Sequence, residues 1–320
     1  MENRKCKFSI MIASALAFLI AGWLPAVAGA AGDSQLVVDA GWLSAHSGKV
    51  VVVDVRDSKD YLKGHIPGSI NIPVNDLQTK PDAIVFPVPS EEKILGGKGL
   101  EIDSDVVLVG AGREIAYLEF WMLDYLGMSR VHVLNGGIEE WKGSLETQGN
   151  TLAPKVFKAR PVPSVYAETE YVRTHLRKPG MVMLDVRSPG EYAGTDVRAL
   201  RGGHIPGAVN MNYTENFETD STLLKPIDAL QKLYGQLDMK KEYVTYCQTG
   251  TRAANSYFVL KALGFQKVRV YDASWVEWGS NESLPVDDVS YLNFVPLLQS
   301  VSKLQKEVQE LEKKQGGSGQ

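Results

Sequence analysis

The sequence predicts an α/β protein made of two copies of one doubly wound domain. Two apolar segments rich in β-branched residues, 50–56 and 181–187, end in Asp-Val-Arg and are typical of strands buried on both faces. Gly-His-Ile-Pro-Gly follows each of them, at 64–68 and 203–207. The repeat distance of about 130–140 residues is far above solenoid periods, so it indicates duplicated domains.

Further elements repeat in the same order along both halves. The matching pairs are strands at 106–110 and 243–247, glycine-closed helices at 117–127 and 254–264, strands at 131–134 and 268–271, and the segments 136–141 and 273–278. Strands that alternate with helices predict a parallel sheet in each copy. The second copy also carries an insertion around 193–202.

These patterns place the domains at 36–145 and 164–285. The segment 146–163 contains three prolines and lacks apolar periodicity, which indicates a linker. The tail, 286–320, is expected to be an amphipathic helix with apolar residues spaced by four and three at Leu297, Val301, Leu304, Val308 and Leu311. Two arrangements remain open for this helix: it lies on its own domain, or it joins homo-oligomers through 297–311.

Residues 1–30 have the order of a secretory signal peptide. Basic residues precede an apolar core at 9–21, and small residues with A-x-A cleavage candidates follow. We expect an exported protein, with cleavage favoured over a retained anchor because the apolar core is short for a membrane span.

Composition limits the function classes. Hydrophobic residues make up 44% and charged residues 22%, as in globular proteins, and the net charge of −4 offers no footprint for nucleic acid. The chain has two cysteines, Cys6 in the leader and Cys247. Two cysteines cannot form a thiolate metal site, and removal of the leader leaves Cys247 without an internal disulfide partner.

Cys247 lies where open α/β sheets bind ligands, at the carboxyl end of a strand that runs into a helix. The short loop after it would direct successive backbone N–H groups, reinforced by the helix N-terminus, at an anion and so favour the thiolate nucleophile. Gly250 permits unusual backbone angles, and Arg252 offers a fixed charge to an anionic substrate. The first copy has Gly110 here, so packing does not require a thiol, and a catalytic cysteine is the favoured interpretation.

Taken together, Asp-Val-Arg, Gly-His-Ile-Pro-Gly, the Cys-x-x-Gly-x-Arg loop and the Trp-containing helix resemble the tandem-domain rhodaneses, the thiosulfate and 3-mercaptopyruvate sulfurtransferases. The resemblance covers about residues 36–285. It implies a five-stranded parallel sheet flanked by helices in each domain, with the catalytic cysteine only in the second. A bacterial periplasm is the compartment that the leader and the family together suggest.

The resemblance also implies a ping-pong sulfurtransferase. Cys247 would take a sulfane sulfur from a small anionic donor, hold it as a persulfide and pass it to cyanide or a thiol acceptor, with no metal or organic cofactor. The substrate-binding residues would be Gln248, Thr249, Gly250, Thr251 and Arg252 of the loop, together with Arg187. The matching arginine of thiosulfate-type members helps to bind the donor, and the competing interpretation of Arg187 is an internal ion pair with Glu191.

Two histidines are expected to be structural, and the role of one tryptophan stays open. His65 and His204 sit in the repeated motif, but the first copy has no nucleophile to serve, so structural hydrogen bonding is the better interpretation for both. Trp275 is taken to replace Gly137 of the first copy, and it would either line the pocket or pack in the core.

The donor and several rival functions stay open. The loop lacks both the basic pair of thiosulfate-type enzymes and the Gly-Ser pair of mercaptopyruvate-type enzymes, and the retained Arg252 favours thiosulfate or a related inorganic donor. A phosphatase or arsenate reductase would have five residues between Cys and Arg, whereas this loop has four, Gln248–Thr251. A periplasmic carrier of polysulfide sulfur would have the same loop, and a redox-sensing thiol would need a resolving cysteine on another chain.

Overall fold

Two parallel sheets with helices around them carry the described part of the chain. The computed structural model describes residues 35–77 and 88–316, and the expected signal peptide at 1–30 lies outside them. The first half contains β1 (Val37–Val38), α1 (Ala40–Ala45), β2 (Val51–Asp54), α2 (Ser58–Tyr61), β3 (Ile70–Asn71), α3 (Val88–Gly97), β4 (Val106–Val109), α4 (Ile115–Tyr125) and β5 (Val131–Leu134).

Among the described residues, the second half repeats this order with two additional strands and two additional helices. It contains β6 (Tyr166–Ala167), α5 (Thr169–His175), β7 (Met181–Asp185), α6 (Pro189–Tyr192), β8 (Arg201–His204), β9 (Val209–Asn210), α7 (Ile227–Leu233), β10 (Glu242–Tyr246), α8 (Thr251–Ala262), β11 (Val268–Tyr271), α9 (Ser274–Trp278), β12 (Asp287–Tyr291) and α10 (Val295–Gly316). Short 3₁₀ helices lie at Val74–Leu77, Gly137–Glu140, Pro163–Val165 and Tyr213–Asn216.

Both sheets are five-stranded and parallel, which confirms the predicted fold class. The strand orders are β1-β5-β4-β2-β3 and β6-β11-β10-β7-β9. The central strands are β4, which is apolar and buried, and β10, which is buried from Tyr243 to Tyr246, because helices cover both faces of each sheet. Asp185 pairs in register with Tyr246, so the carboxyl ends of β7 and β10 meet at one edge of the second sheet.

The insertion and the start of the tail form a structure that the sequence did not indicate. Strand β8 pairs in antiparallel fashion with β12, so residues 287–291 are extended, and the helix of the tail begins only at Val295. The expectation of a purely helical tail at 286–320 is wrong in this respect. Glycine permits the pairing, because a Cβ added at Gly203 would collide with the Asp287 carbonyl oxygen.

The apolar residues spaced by four and three along α10, called the apolar seam below, face solvent. Val301, Leu304, Val308 and Leu311 are between 42% and 59% exposed, whereas the side chain of Leu297 lies outside the described part of the structure. The helix therefore does not bury this seam on its own domain. Over residues 35–77 and 88–316, no helix has both the length and the apolar character needed to cross a membrane.

The two domains pack through α4 and α8, the helices that follow the central strands. The rings of Phe120 and Phe258 meet edge to face at 4.7 Å, and Tyr257 donates a hydrogen bond to Asp124 across the contact. One hydrophobic cluster runs through both domains. Because α4 and α8 lie side by side, the loop before α4 and the loop before α8 approach the same region.

Candidate active site

Cys247 follows β10 directly and lies at the carboxyl edge of the second sheet. The residue is only 1% exposed. Its backbone N–H donates to Ser274 Oγ at 3.1 Å, and its carbonyl oxygen accepts from the N–H of Trp275 at 3.0 Å. Helix α9 thus fixes the backbone of Cys247 from both sides, so the thiol stands at a defined position between β10 and α8.

The loop from Cys247 to Arg252 has the free donors that an anion site needs. Its backbone N–H groups from Gln248 to Arg252 find no acceptor among the residues that the structure describes. Helix α8 begins at Thr251, so its N-terminus adds partial positive charge at the same place. Gly250 makes the turn with φ of +90°, and a Cβ there would meet Asp272. The loop therefore requires glycine at this position.

Arg252 is held beside Cys247 by Glu191. The guanidinium donates two hydrogen bonds to the Glu191 carboxylate, at 2.8 and 2.9 Å. Burial would raise the pKa of Glu191, but the hydrogen bond and charge of Arg252 lower it to about 2. Burial would likewise lower the pKa of Arg252, yet the pairing with Glu191 and the nearby charge of Cys247 hold it above its usual value. Arg252 is therefore a permanent cation next to the thiol.

The insertion contributes a second cation that sequence reasoning missed. Arg198 Nη1 lies 3.3 Å from Glu191 Oε1, and its side chain is 52% exposed. Gln248 Nε2 donates to the Arg198 carbonyl oxygen at 2.9 Å, so the insertion is tied to the catalytic loop. Glu191 thus faces two arginines with a single charge, so it cannot neutralise both. The signal available in the sequence was the insertion itself, which the first copy lacks.

Arg187 is fully buried and bonded within its own motif. Its Nε and Nη2 atoms donate to the Asp185 carboxylate at 2.9 and 2.5 Å, and Nη2 also donates to the Gly203 carbonyl oxygen at 2.7 Å. The guanidinium lies 4.4 Å from the Trp275 ring centroid. Its ion-pair partner is therefore Asp185, and the interpretation that paired it with Glu191 is wrong. The donor-binding role stays a prediction.

The first domain has the same arginine–aspartate ion pair and the same arginine–carbonyl hydrogen bond, although it has no cysteine. Arg56 Nη2 donates to Asp54 at 2.6 Å and to the Gly64 carbonyl oxygen at 2.7 Å. Because the same bonds occur where Gly110 replaces the cysteine, the Asp-Val-Arg motif has a structural role in both domains. The loop after Gly110 also differs from that after Cys247, since the Gly112 N–H donates to the Glu139 carboxylate at 2.9 Å.

The histidines and Trp275 are structural, as their bonding shows. His65 Nδ1 forms a hydrogen bond with the Tyr61 carbonyl oxygen at 2.8 Å, and its ring stacks on the Tyr61 ring. His204 Nδ1 forms a hydrogen bond with the Tyr192 carbonyl oxygen at 3.0 Å, and its ring stacks on the Tyr192 ring. Trp275 is fully buried. Its backbone N–H donates to the Cys247 carbonyl oxygen, as the backbone N–H of Ile138 donates to that of Gly110, so Trp275 corresponds to Ile138. The assumed replacement of Gly137 is wrong by one residue.

The site thus defines a class: a two-domain α/β protein with one buried cysteine in an N–H-lined loop. Residues 39–144 and 168–281 match the family of rhodanese-like domains. The chain therefore belongs to the rhodanese family. Gly110 and Cys247 make its first domain cysteine-free and its second cysteine-bearing.

Relatives in bacteria are similar over most of the chain. A thiosulfate sulfurtransferase of Corynebacterium glutamicum is 34% identical, covering 79% of this chain and 90% of the relative. The thiosulfate sulfurtransferase of Pseudomonas aeruginosa is 31% identical, covering 80% and 98%. That of Azotobacter vinelandii is 33% identical, covering 75% and 91%.

Solved structures share the fold. A 3-mercaptopyruvate sulfotransferase from Escherichia coli superposes with a TM-score of 0.67 at 26% identity, covering 75% of this chain and 98% of that protein. An anaerobic ergothioneine biosynthesis enzyme from Chlorobium limicola gives a TM-score of 0.71 at 22% identity, covering 79% and 70%. At that identity the second likeness concerns the fold alone.

Proposed function

We propose that this protein is a thiosulfate sulfurtransferase in which Cys247 carries the sulfur. The observation that supports this most directly is the row of backbone N–H groups from Gln248 to Arg252, which have no acceptor among the described residues and stand beside a buried cysteine. Five donors and the α8 N-terminus suit a terminal persulfide anion. The relatives named thiosulfate sulfurtransferase support the same reaction class.

The reaction balances in two steps. In the first, the Cys247 thiolate attacks the outer sulfur of thiosulfate, an S–S bond forms, the S–S bond of the donor breaks, and its electron pair leaves with sulfite. In the second, cyanide attacks the terminal persulfide sulfur, thiocyanate forms, and the Cys247 thiolate is restored. The persulfide anion lies against the loop N–H groups and near Arg252 between the two steps.

The test is sulfur loading followed by turnover. The protein is incubated separately with thiosulfate and with 3-mercaptopyruvate, and intact mass is expected to rise by one sulfur atom, about 32 Da, with thiosulfate. Cyanide then releases thiocyanate. Cys247→Ser is the control and loads nothing. Loading by 3-mercaptopyruvate alone would overturn the donor assignment, and loading without turnover would indicate a sulfur carrier instead of an enzyme.

We also propose that two copies of the chain associate through α10. The support is the exposed apolar seam of Val301, Leu304, Val308 and Leu311, whose spacing is that of a helix pairing with a like helix. Sedimentation of the wild type is expected to show a dimer, and the double variant Leu304→Asp, Val308→Asp is expected to be monomeric. The double variant Ser302→Asp, Gln309→Asp, which adds the same charge on the face away from the seam, is the control. A monomeric wild type would contradict this proposal.

We propose, finally, that the protein is exported and loses its leader. The support is the order of basic, apolar and small residues at 1–30. Cell fractionation is expected to recover it from the cell envelope, with a mature N-terminus just after 26–30. An intact N-terminus in the cytoplasmic fraction would contradict export.

A further inference from the structure

The side chain of Glu114, in the cysteine-free domain, reaches the surroundings of the catalytic loop. Glu114 follows the loop of the first domain that corresponds to the Cys247 loop of the second, and it is the N-terminal capping residue of α4. Its carboxylate makes no capping bond to that helix. Instead, Tyr213 Oη of the second domain donates to Glu114 Oε1 at 2.7 Å.

The Tyr213 ring in turn lies near Arg252 of the catalytic loop. The Arg252 Cζ atom lies 6.0 Å from the ring centroid, at the outer limit of a cation–π contact. Burial first, and then the hydrogen bond to Glu114, raise the pKa of Tyr213 to about 12, so the hydroxyl keeps its proton and acts as the donor. Glu114 also contributes to the raised pKa of Arg252, which places its charge near that guanidinium.

We propose that Glu114 is a positioning residue: through its hydrogen bond with Tyr213, the first domain fixes the aromatic surface against which Arg252 is held beside Cys247. A charge-assisted bond of 2.7 Å orients the ring, because without it only packing, such as the edge contact with Phe217, would hold the tyrosine. The first domain's loop has no nucleophile of its own, and it thus helps to position the residues around the nucleophile of the second domain. This inference rests on the proposed role of Cys247 and Arg252.

The chain offers a matched control for a merely structural contact. Tyr257 also donates a hydroxyl bond across the domain contact to a carboxylate, that of Asp124, but it lies along α8 and away from Arg252. Tyr213→Phe and Tyr257→Phe therefore remove the same kind of bond between the same two domains. Only the first is expected to affect the thiol's surroundings.

The experiment compares alkylation of Cys247 by iodoacetate and by iodoacetamide in the full chain, followed on the Cys247 peptide by mass spectrometry. The ratio of the two rates reports the positive charge at the thiol, because the thiolate fraction cancels. Glu114→Gln removes the carboxylate charge but keeps an oxygen that accepts the Tyr213 bond, so it is the reference for Glu114→Ala. Glu114→Ala is expected to give a ratio about three-fold lower than Glu114→Gln, and Tyr213→Phe a ratio about three-fold lower than the wild type. In the Tyr213→Phe background, Glu114→Ala and Glu114→Gln are expected to give the same ratio, since the bond is already absent. Tyr257→Phe is expected to keep the wild-type ratio.

Equal ratios in Glu114→Ala and Glu114→Gln would overturn the inference, and so would a wild-type ratio in Tyr213→Phe or an equal fall in Tyr257→Phe. Thiosulfate turnover is measured on the same proteins, where the KM for thiosulfate is expected to be higher in Glu114→Ala than in Glu114→Gln, and higher in Tyr213→Phe than in the wild type, with a smaller change in kcat. If the wild type does not turn over thiosulfate but the alkylation ratios change as expected, the proposed function fails and the positioning role stands.

Discussion

Glu191 is the buried carboxylate on which the geometry of Arg252 depends. Its pKa of about 2 lies below the ordinary value of 4.5, so its pairing stabilises the folded state above pH 4.5, and this contribution is lost as the pH falls towards 2. We expect Glu191→Gln to lower the free energy of unfolding at pH 7 by about 3 kcal/mol, with the difference from wild type vanishing near pH 2. Urea unfolding across this pH range measures it.

The control for Glu191 is Glu170, which pairs with Arg173 on the surface. Solvent screens that pair, so Glu170→Gln is expected to change stability far less than Glu191→Gln. A loss of stability in Glu191→Gln that stayed constant from pH 7 to pH 2 would contradict the electrostatic explanation and indicate a packing effect.

Gly250 is needed for both its backbone angle and its lack of a side chain. Gly250→Ala would combine a left-handed φ of +90° with a clash against Asp272, and we expect it to cost roughly 2–4 kcal/mol of unfolding free energy. Gly48 has φ of +76° and open space around it, so Gly48→Ala is expected to cost only about 1 kcal/mol. Thermal unfolding compares the two. Equal losses would mean that the clash contributes nothing.

The inserted segment after α6 supplies the half-exposed cation of the site. Because Glu191 cannot neutralise both Arg198 and Arg252, we expect Arg198→Ala to raise the KM for thiosulfate about three- to ten-fold with little change in kcat. The effect is expected to shrink at high ionic strength, where an exposed charge is screened. Steady-state kinetics at low and high salt measure both effects.

Arg173 is the matched control for Arg198, since its side chain is also 52% exposed but lies on α5 in an ion pair with Glu170. Arg173→Ala is expected to leave the KM unchanged. An equal rise in both variants would show that only the net charge of the protein matters, and a fall in kcat alone would exclude donor attraction as the role of Arg198.

The two domains are expected to unfold together, because α4 and α8 share one hydrophobic cluster. Phe258 is fully buried and its ring meets both Tyr117 and Phe120 of the first domain. We expect one calorimetric transition in the wild type, and Phe258→Ala to cost about 3–5 kcal/mol. Two separate transitions in the wild type would contradict this cooperative packing.

The local patterns were sufficient for the fold because each element is encoded by neighbouring residues. The buried runs that became β4 and β10 and the glycines that close α4 and α8 follow from periodicity and backbone angles alone. The strand β12 was missed because its pairing with β8 depends on Gly202 and Gly203, far away in the sequence. Strand pairing of this kind is not a local property.

The sequence by itself determined the duplicated α/β fold, the position of Cys247 at a strand end and the loop from Gln248 to Arg252, because these depend on residues close together in the chain. Only the tertiary structure decided which charges meet. It brings Arg198 and Arg252 to Glu191 and joins Glu114 to Tyr213 across the domain contact. Ion pairs and hydrogen bonds form between side chains close in space, and distances between residues far apart in sequence are set by packing alone.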